Sequence, residues 1–164
     1  MSAITGQTLV TINVTDTLPA GVNRPAVLPN QCNPANLFTE WQPGSGPGQA
    51  NKYFYWSSNI AASTPQIFDM TSVVCSDGTT GFAHVRESFC INADPTSVIT
   101  FGGGSNSLAT QWLSGTHTLQ PGGIDHERNV INAAGYVVNS SNRYIKLDPG
   151  SNAIAGATYI AIGD

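Results

Sequence analysis

The chain has 164 residues, of which 10% are Asp, Glu, Lys or Arg, and a net charge of −4; an ordinary soluble domain carries about 25% charge. The length fits a single domain over residues 1–164, and 40% hydrophobic with 9% aromatic residues excludes a globally disordered chain. Its only cations beside histidine are Lys52, Lys146, Arg24, Arg86, Arg128 and Arg143, too few for a basic stripe, which excludes nucleic acid and anionic membrane surfaces as partners.

Hydrophobicity recurs every second residue almost everywhere, the period of half-buried strands. Residues 8–15 alternate, with Val10, Ile12 and Val14 on one face. The spacing allows one or two helical turns over residues 33–41, with Asn33 capping and Pro34 at the first helical position. Residues 52–56 form a dense aromatic strand, Tyr53 and Tyr55 on one face and Phe54 and Trp56 on the other. Residues 67–75 and 82–91 read as an antiparallel pair joined by a loop containing Asp77-Gly78, a strong hairpin signal. In the second of these, Ala83, Val85, Glu87, Phe89 and Ile91 share one face, and Phe82, His84, Arg86, Ser88 and Cys90 the other. Strands follow at 97–101, 108–113 and 116–119. Residues 136–138 and 143–147 read as a hairpin closed by residues 139–142. Residues 157–162 end the series, with Thr158, Ile160 and Ile162 opposite Ala157, Tyr159 and Ala161. The pattern predicts an all-β antiparallel sandwich or jelly-roll-like fold of about nine or ten short strands.

Two segments stand apart. Residues 17–34 hold four prolines, which deny them a central strand position, yet also Leu18, Val22, Val27 and Leu28. They read as a Pro-rich extended arm laid over a neighbour or folded back on its own domain. Residues 42–51 read as an exposed, mobile loop. No basic n-region marks a signal peptide and no apolar run reaches membrane length. Without a secretory signal, Cys32, Cys75 and Cys90 read as reduced, buried thiols; one disulfide with a thiol left over is the alternative.

No catalytic signature stands out. Asp125, His126, Glu127 and Arg128, with His117 upstream, form the densest charge, but the spacing matches no zinc motif. They read as a solvated turn with local ion pairs or an intersubunit salt bridge. His84 and Arg86 read as a cross-strand polar pair. There is no GxSxG elbow, and Gly102-Gly103-Gly104-Ser105 lacks the lysine of a phosphate loop. We therefore expect no catalytic residue, no metal and no cofactor. Trp41, Tyr55, Trp56 and Trp112 offer rings for sugar stacking, since tyrosine and tryptophan serve both carbohydrate and protein contacts.

The Thr-rich first strand (Gln7-Thr8-Leu9-Val10-Thr11-Ile12-Asn13-Val14), the turn Leu119-Gln120-Pro121-Gly122-Gly123 and the terminal run Ala157-Thr158-Tyr159-Ile160-Ala161-Ile162-Gly163 resemble the general style of small tailed-bacteriophage virion proteins, of the head-decoration, cement or fibre-base type. The resemblance covers about a fifth of the chain and carries over no functional residue. It implies a β-rich, non-enzymatic, oligomeric part of a virion, made in a host cytoplasm. The expected role is to clamp adjacent subunits by protein contacts, as a homo-oligomer with a trimer favoured. Leu18, Val22, Val27 and Leu28 of the arm and Tyr53, Tyr55 and Trp56 of the aromatic strand are the contact candidates. A lectin-like module and a small hydrolase centred on His117, Asp125 and His126 are the rivals.

Overall fold

A computed structural model describes residues 6–9 and 38–41 as backbone, Ser45, and residues 49–112, 116–128 and 135–164. The described residues contain eleven strands and no α-helix. Strands β1 (Gly6–Leu9) and β2 (Phe38–Trp41) form a two-stranded sheet. A four-stranded sheet holds β4 (Gln66–Asp69), β10 (Tyr144–Asp148), β6 (Ile99–Gly102) and β7 (Thr116–Leu119), in that order. A five-stranded sheet holds β3 (Lys52–Ile60), β11 (Ile154–Gly163), β5 (His84–Asn92) and β8 (Ile124–Arg128), with the short β9 (Tyr136–Val137) also on β5. Every pairing is antiparallel, and the two large sheets make an all-β sandwich.

The alternation of each strand decides what goes between the sheets. Ile145 and Leu147 of β10 and Ile99 and Phe101 of β6 are fully buried. From the opposite sheet come Phe54 and Trp56 of β3, Cys90 of β5, and Ala157, Tyr159 and Ala161 of β11. Tyr159 is the keystone. Its ring stacks on Phe68 of the other sheet, centroids 5.4 Å apart, and meets Phe101 at 6.2 Å. The flanking Ala157 and Ala161 are small enough to leave those rings room. The buried hydroxyl accepts a hydrogen bond from Ser88 or donates one to it at 3.1 Å, so the polar tip is satisfied. Burying such a ring stabilises the fold by roughly 1.5–3 kcal/mol.

A polar knot ties the ends of three strands. The fully buried Asn92 amide donates to the carbonyls of Ser97 (2.8 Å), Leu119 (3.2 Å) and Gln120 (3.1 Å), and its oxygen accepts from the Asp94 N–H. The Asp94 carboxylate accepts from the N–H groups of Thr96, Ser97 and Ala155. These bonds hold its pKa well below the usual carboxylate range. Gly156, at φ +90°, forms the bulge that shifts the register of β11 on β3 between Ile154 and Ala157. A side chain on Gly163 would collide with the His84 carbonyl 2.0 Å away.

Several expected elements are corrected. Residues 38–41 are a strand, not part of a helix. The expected strand at 108–113 begins with a 3-10 turn, Leu108–Gln111. The strands on either side of Asp77-Gly78 do not pair with each other: β4 joins β10 in one sheet and β5 joins β11, β8 and β9 in the other. Between them form the bridge Val74 to Thr80 and the backbone bonds from Gly81 N–H to Val73 and from Phe82 N–H to Met70; the Met70 N–H itself goes to Arg143, on the β10 side. Likewise Asn139 and Asn142 close a tight turn with reciprocal bonds of 3.0 and 3.1 Å, but β9 and β10 then diverge into different sheets. A register shift at Arg86 separates Val85 from Glu87: Val85 is fully buried opposite Gly163, whereas Glu87 lies opposite Ile162. The arm at 17–34 and the alternation at 10–15 lie outside the described residues. In the segment 42–51, Ser45 is exposed and its carbonyl accepts from Arg86 at 2.6 Å, while Ala50 is buried.

Candidate protein-docking face

The side of the five-stranded sheet turned away from the core is unusually apolar. Register places Tyr55, Ile160, Phe89 and His126 in one row across β3, β11, β5 and β8. A second row holds Ser57, Thr158, Ile91 and Ile124, and a third begins Tyr53, Ile162. Tyr53 is 44% exposed, Tyr55 59% and Ile124 65%, while Ile160, Ile162, Phe89 and Ile91 are half-buried among them. Contiguous apolar surface of this kind marks an interaction site more often than an ordinary exterior. The outward side of the four-stranded sheet differs. It carries Lys146 bonded to Asp148 at 2.7 Å, with Thr100 and Thr118 beside them.

Polar groups interrupt the apolar face: the Ser57 and Thr158 hydroxyls bond each other at 2.9 Å in the second row, and the third row continues from Ile162 to Glu87 and Arg128. Glu87 is fully buried, and its carboxylate meets Nε2 of His126 at 2.7 Å. The same imidazole stacks on Phe89, centroids 4.2 Å apart and planes 8° from parallel. His126 is thereby fixed as a flat extension of the Phe89 row.

The remaining histidines are held separately. His117 meets Asp125 at 2.9 Å, linking β7 of one sheet to β8 of the other. His84 and Arg86 both reach the Asp164 carboxylate, at 3.1 and 3.4 Å. Asp125 to Arg128 lie on a strand, β8, and not in a solvated turn. Because strand neighbours point to opposite faces, Asp125 turns inward to His117 while His126 turns outward to Glu87. His117, Asp125 and His126 therefore do not converge, and among the described residues no three His, Cys, Asp or Glu side chains cluster as metal ligands. Cys75 and Cys90 are buried and unpaired. Burial, helped by the Asp125 charge, pushes the Cys90 thiol up to about 12, far from the reactive thiolate range. Cys32 lies outside the described residues.

Of the contact candidates, Tyr53 and Tyr55 share one face, as their alternation requires, and that face is the exposed apolar one. Trp56 turns the other way and packs on Phe68 at 5.2 Å. Leu18, Val22, Val27 and Leu28 lie outside the described residues. The sugar-stacking set is not brought together: Tyr55 and Trp56 point to opposite faces, Trp112 packs on Tyr136 at 4.4 Å in another part of the fold, and the Trp41 side chain is not described. Ile160, Ile162, Phe89, Ile91 and Ile124 complete the face but were not singled out in the sequence. Their signal was the period-two alternation of three strands, which says nothing of which side is turned to the core. Comparison with protein families, curated proteins and solved structures finds no match in any of the three.

Proposed function

We propose that this protein is a structural module that works by contact: it docks on a protein neighbour through the outer face of its five-stranded sheet. The observation that carries this is the row Tyr55–Ile160–Phe89–His126 together with the exposed Ile124. Covering such a row removes apolar area from water at about 25 cal/mol per Å², before association costs. The low charge of the chain supports the same role, since charged residues are depleted at interface cores. The setting we infer is a virion, as a non-enzymatic decoration, cement or fibre-base part. That step rests on the resemblance in the first strand, the Gly122 turn and the last strand.

The test is a double variant, Tyr55→Asp with Ile124→Asp. Both side chains are exposed, so the fold is spared. Native mass spectrometry of the wild type should show assembly with itself or with co-expressed neighbouring gene products, and the variant should lose it. An unchanged assembly would overturn the proposal. A sugar-binding role has one observation in its favour, the exposed rings of Tyr53 and Tyr55 on one face of a strand whose only charge is Lys52. Glycan-array binding that disappears with Tyr55→Ala would support it instead.

A further inference from the structure

The four edge strands of the two large sheets are protected unequally. An open edge presents unpaired N–H and C=O groups, and proteins blunt it with charge, proline or shortness. Strand β8 carries Asp125, His126, Glu127 and Arg128. Strands β4 and β7 are four residues each. Strand β3 has nine residues, Lys-Tyr-Phe-Tyr-Trp-Ser-Ser-Asn-Ile, with no proline and no charge beyond Lys52 at its start.

The free groups of that edge can be assigned. Tyr53 accepts from the Ser76 N–H at 2.8 Å and donates its own N–H to the Ser76 hydroxyl at 3.1 Å. Its backbone therefore points away from β11. Antiparallel ladders alternate in direction residue by residue, so the N–H and C=O of Tyr55, Ser57 and Asn59 point the same way. Among the described residues none of these groups has a partner. The loop around Ser76 thus closes the first part of the edge and leaves the rest open.

We infer that β3 pairs edge to edge with β3 of a second copy, antiparallel about a two-fold axis at Ser57. This deepens the docking proposal by naming a partner, but it stands on backbone rather than on the apolar face. Tyr55 then faces Asn59 of the second copy and Ser57 faces its own equivalent, giving about six backbone hydrogen bonds. Self-pairing suits the charge pattern. Each Lys52 falls opposite position 62 of the other copy, beyond the strand end, so the two like charges never meet. The outward side chains of the open stretch, Tyr55, Ser57 and Asn59, share the apolar face, so pairing joins two such faces into one continuous surface. A two-fold contact of this kind closes on itself and does not propagate.

Ser57→Lys and Ser57→Pro test this in the full-length chain. Lysine sets like charges against each other across the axis, and proline removes an N–H that the monomer does not use. Sedimentation velocity over a concentration series should show a wild-type dimer, and either substitution should weaken association at least about tenfold, with far-ultraviolet circular dichroism unchanged for Ser57→Lys. Ser57→Cys in a Cys32→Ser background should form an intermolecular disulfide on oxidation, because paired Cα atoms about 5.5 Å apart are within bridging range. A wild type that stays monomeric, or a Ser57→Lys protein that associates like wild type, overturns the inference. If Tyr55→Asp with Ile124→Asp abolishes assembly while Ser57→Lys does not, the docking face stands and the edge pairing falls. If Ser57→Lys dissociates a dimer that Ile124→Asp leaves intact, the edge pairing stands alone.

Discussion

On the outside of the four-stranded sheet, Lys146 and Asp148 bond at 2.7 Å beside Thr100 and Thr118; on the outside of the five-stranded sheet the corresponding rows hold Tyr55, Ile160, Phe89 and Ile124. Both sheets bury their inner sides in one core, so the difference is not one of folding need. The first exterior is finished for water. The second is largely finished for another surface, its polar interruptions being His126 locked to the buried Glu87, the Ser57–Thr158 pair and Arg128 at the end of the third row. Two exteriors of one sandwich thus separate what the fold requires from what is left over for function.

The sharpest way to break that distinction uses neighbouring residues of β11. Tyr159 points inward and is fully buried, whereas Ile160 points outward. Tyr159→Ala should cost about 3–5 kcal/mol in chemical denaturation, the usual price of emptying an aromatic site in a core. Ile160→Ala should cost about 1 kcal/mol or less in the monomer, while weakening any assembly. Equal losses at the two positions would show that the outer row is core after all. Next in size comes Asn92→Ala. It strands the carbonyls of Ser97, Leu119 and Gln120, and should destabilise by on the order of 3 kcal/mol. A loss below about 1 kcal/mol would mean that the knot is not structural.

Much of the fold was legible because period-two alternation survives in single strands. The aromatic strand at 52–56, the last strand and the separation of Tyr53 and Tyr55 from Phe54 and Trp56 all follow from it; which of the two pairs turns inward does not. Pairing was not legible, since a local turn signal competes with distant partners. Asp77 does cap its turn, accepting from Thr79 N–H at 3.0 Å, yet β4 and β5 part because β10 and β11 offer longer ladders. The side chosen by β11 also runs against hydrophobicity. Ile160 and Ile162 face outward, because the core needs the small Ala157 and Ala161 beside Tyr159 and three neighbouring rings. Of the candidate face, Tyr53 and Tyr55 could be read from their own strand. Ile160, Phe89 and Ile124 could not, since only the sheet order sets three distant segments side by side.

Asp94 sharpens the contrast from the side of pH. Backbone hydrogen bonds from Ala155, Thr96 and Ser97 depress its folded pKa, while the unfolded value stays near the ordinary ~3.9. Its contribution is therefore fully present above that value and is lost as pH falls below about 4 toward the depressed folded value. Asp94→Asn should lower the denaturation midpoint at neutral pH and flatten the acid limb of the stability profile. A limb as steep as wild type would assign the acid sensitivity to another carboxylate. Asp94 is not a member of the rows of the docking face, so association measured at neutral pH should not change with it.

The smallest expected effect tests whether the polar exterior is merely solvated. The Lys146–Asp148 pair is partly exposed, and pairs of that kind contribute about 0–1 kcal/mol. The hydrogen bond from Lys146 is also the first cause of the lowered Asp148 pKa, so Lys146→Ala should return that carboxyl toward its usual range with little change in stability. Lys146→Ile goes further. It sets a second isoleucine opposite Ile67, which is 53% exposed in the adjacent strand, and makes this exterior resemble the other. New self-association of Lys146→Ile, seen as a rise in sedimentation coefficient with concentration, is expected if apolar rows are what make a face adhesive. If that variant behaves as wild type, apolar character alone does not distinguish the two exteriors, and the weight passes to the flat His126–Phe89 stack and the open edge of β3.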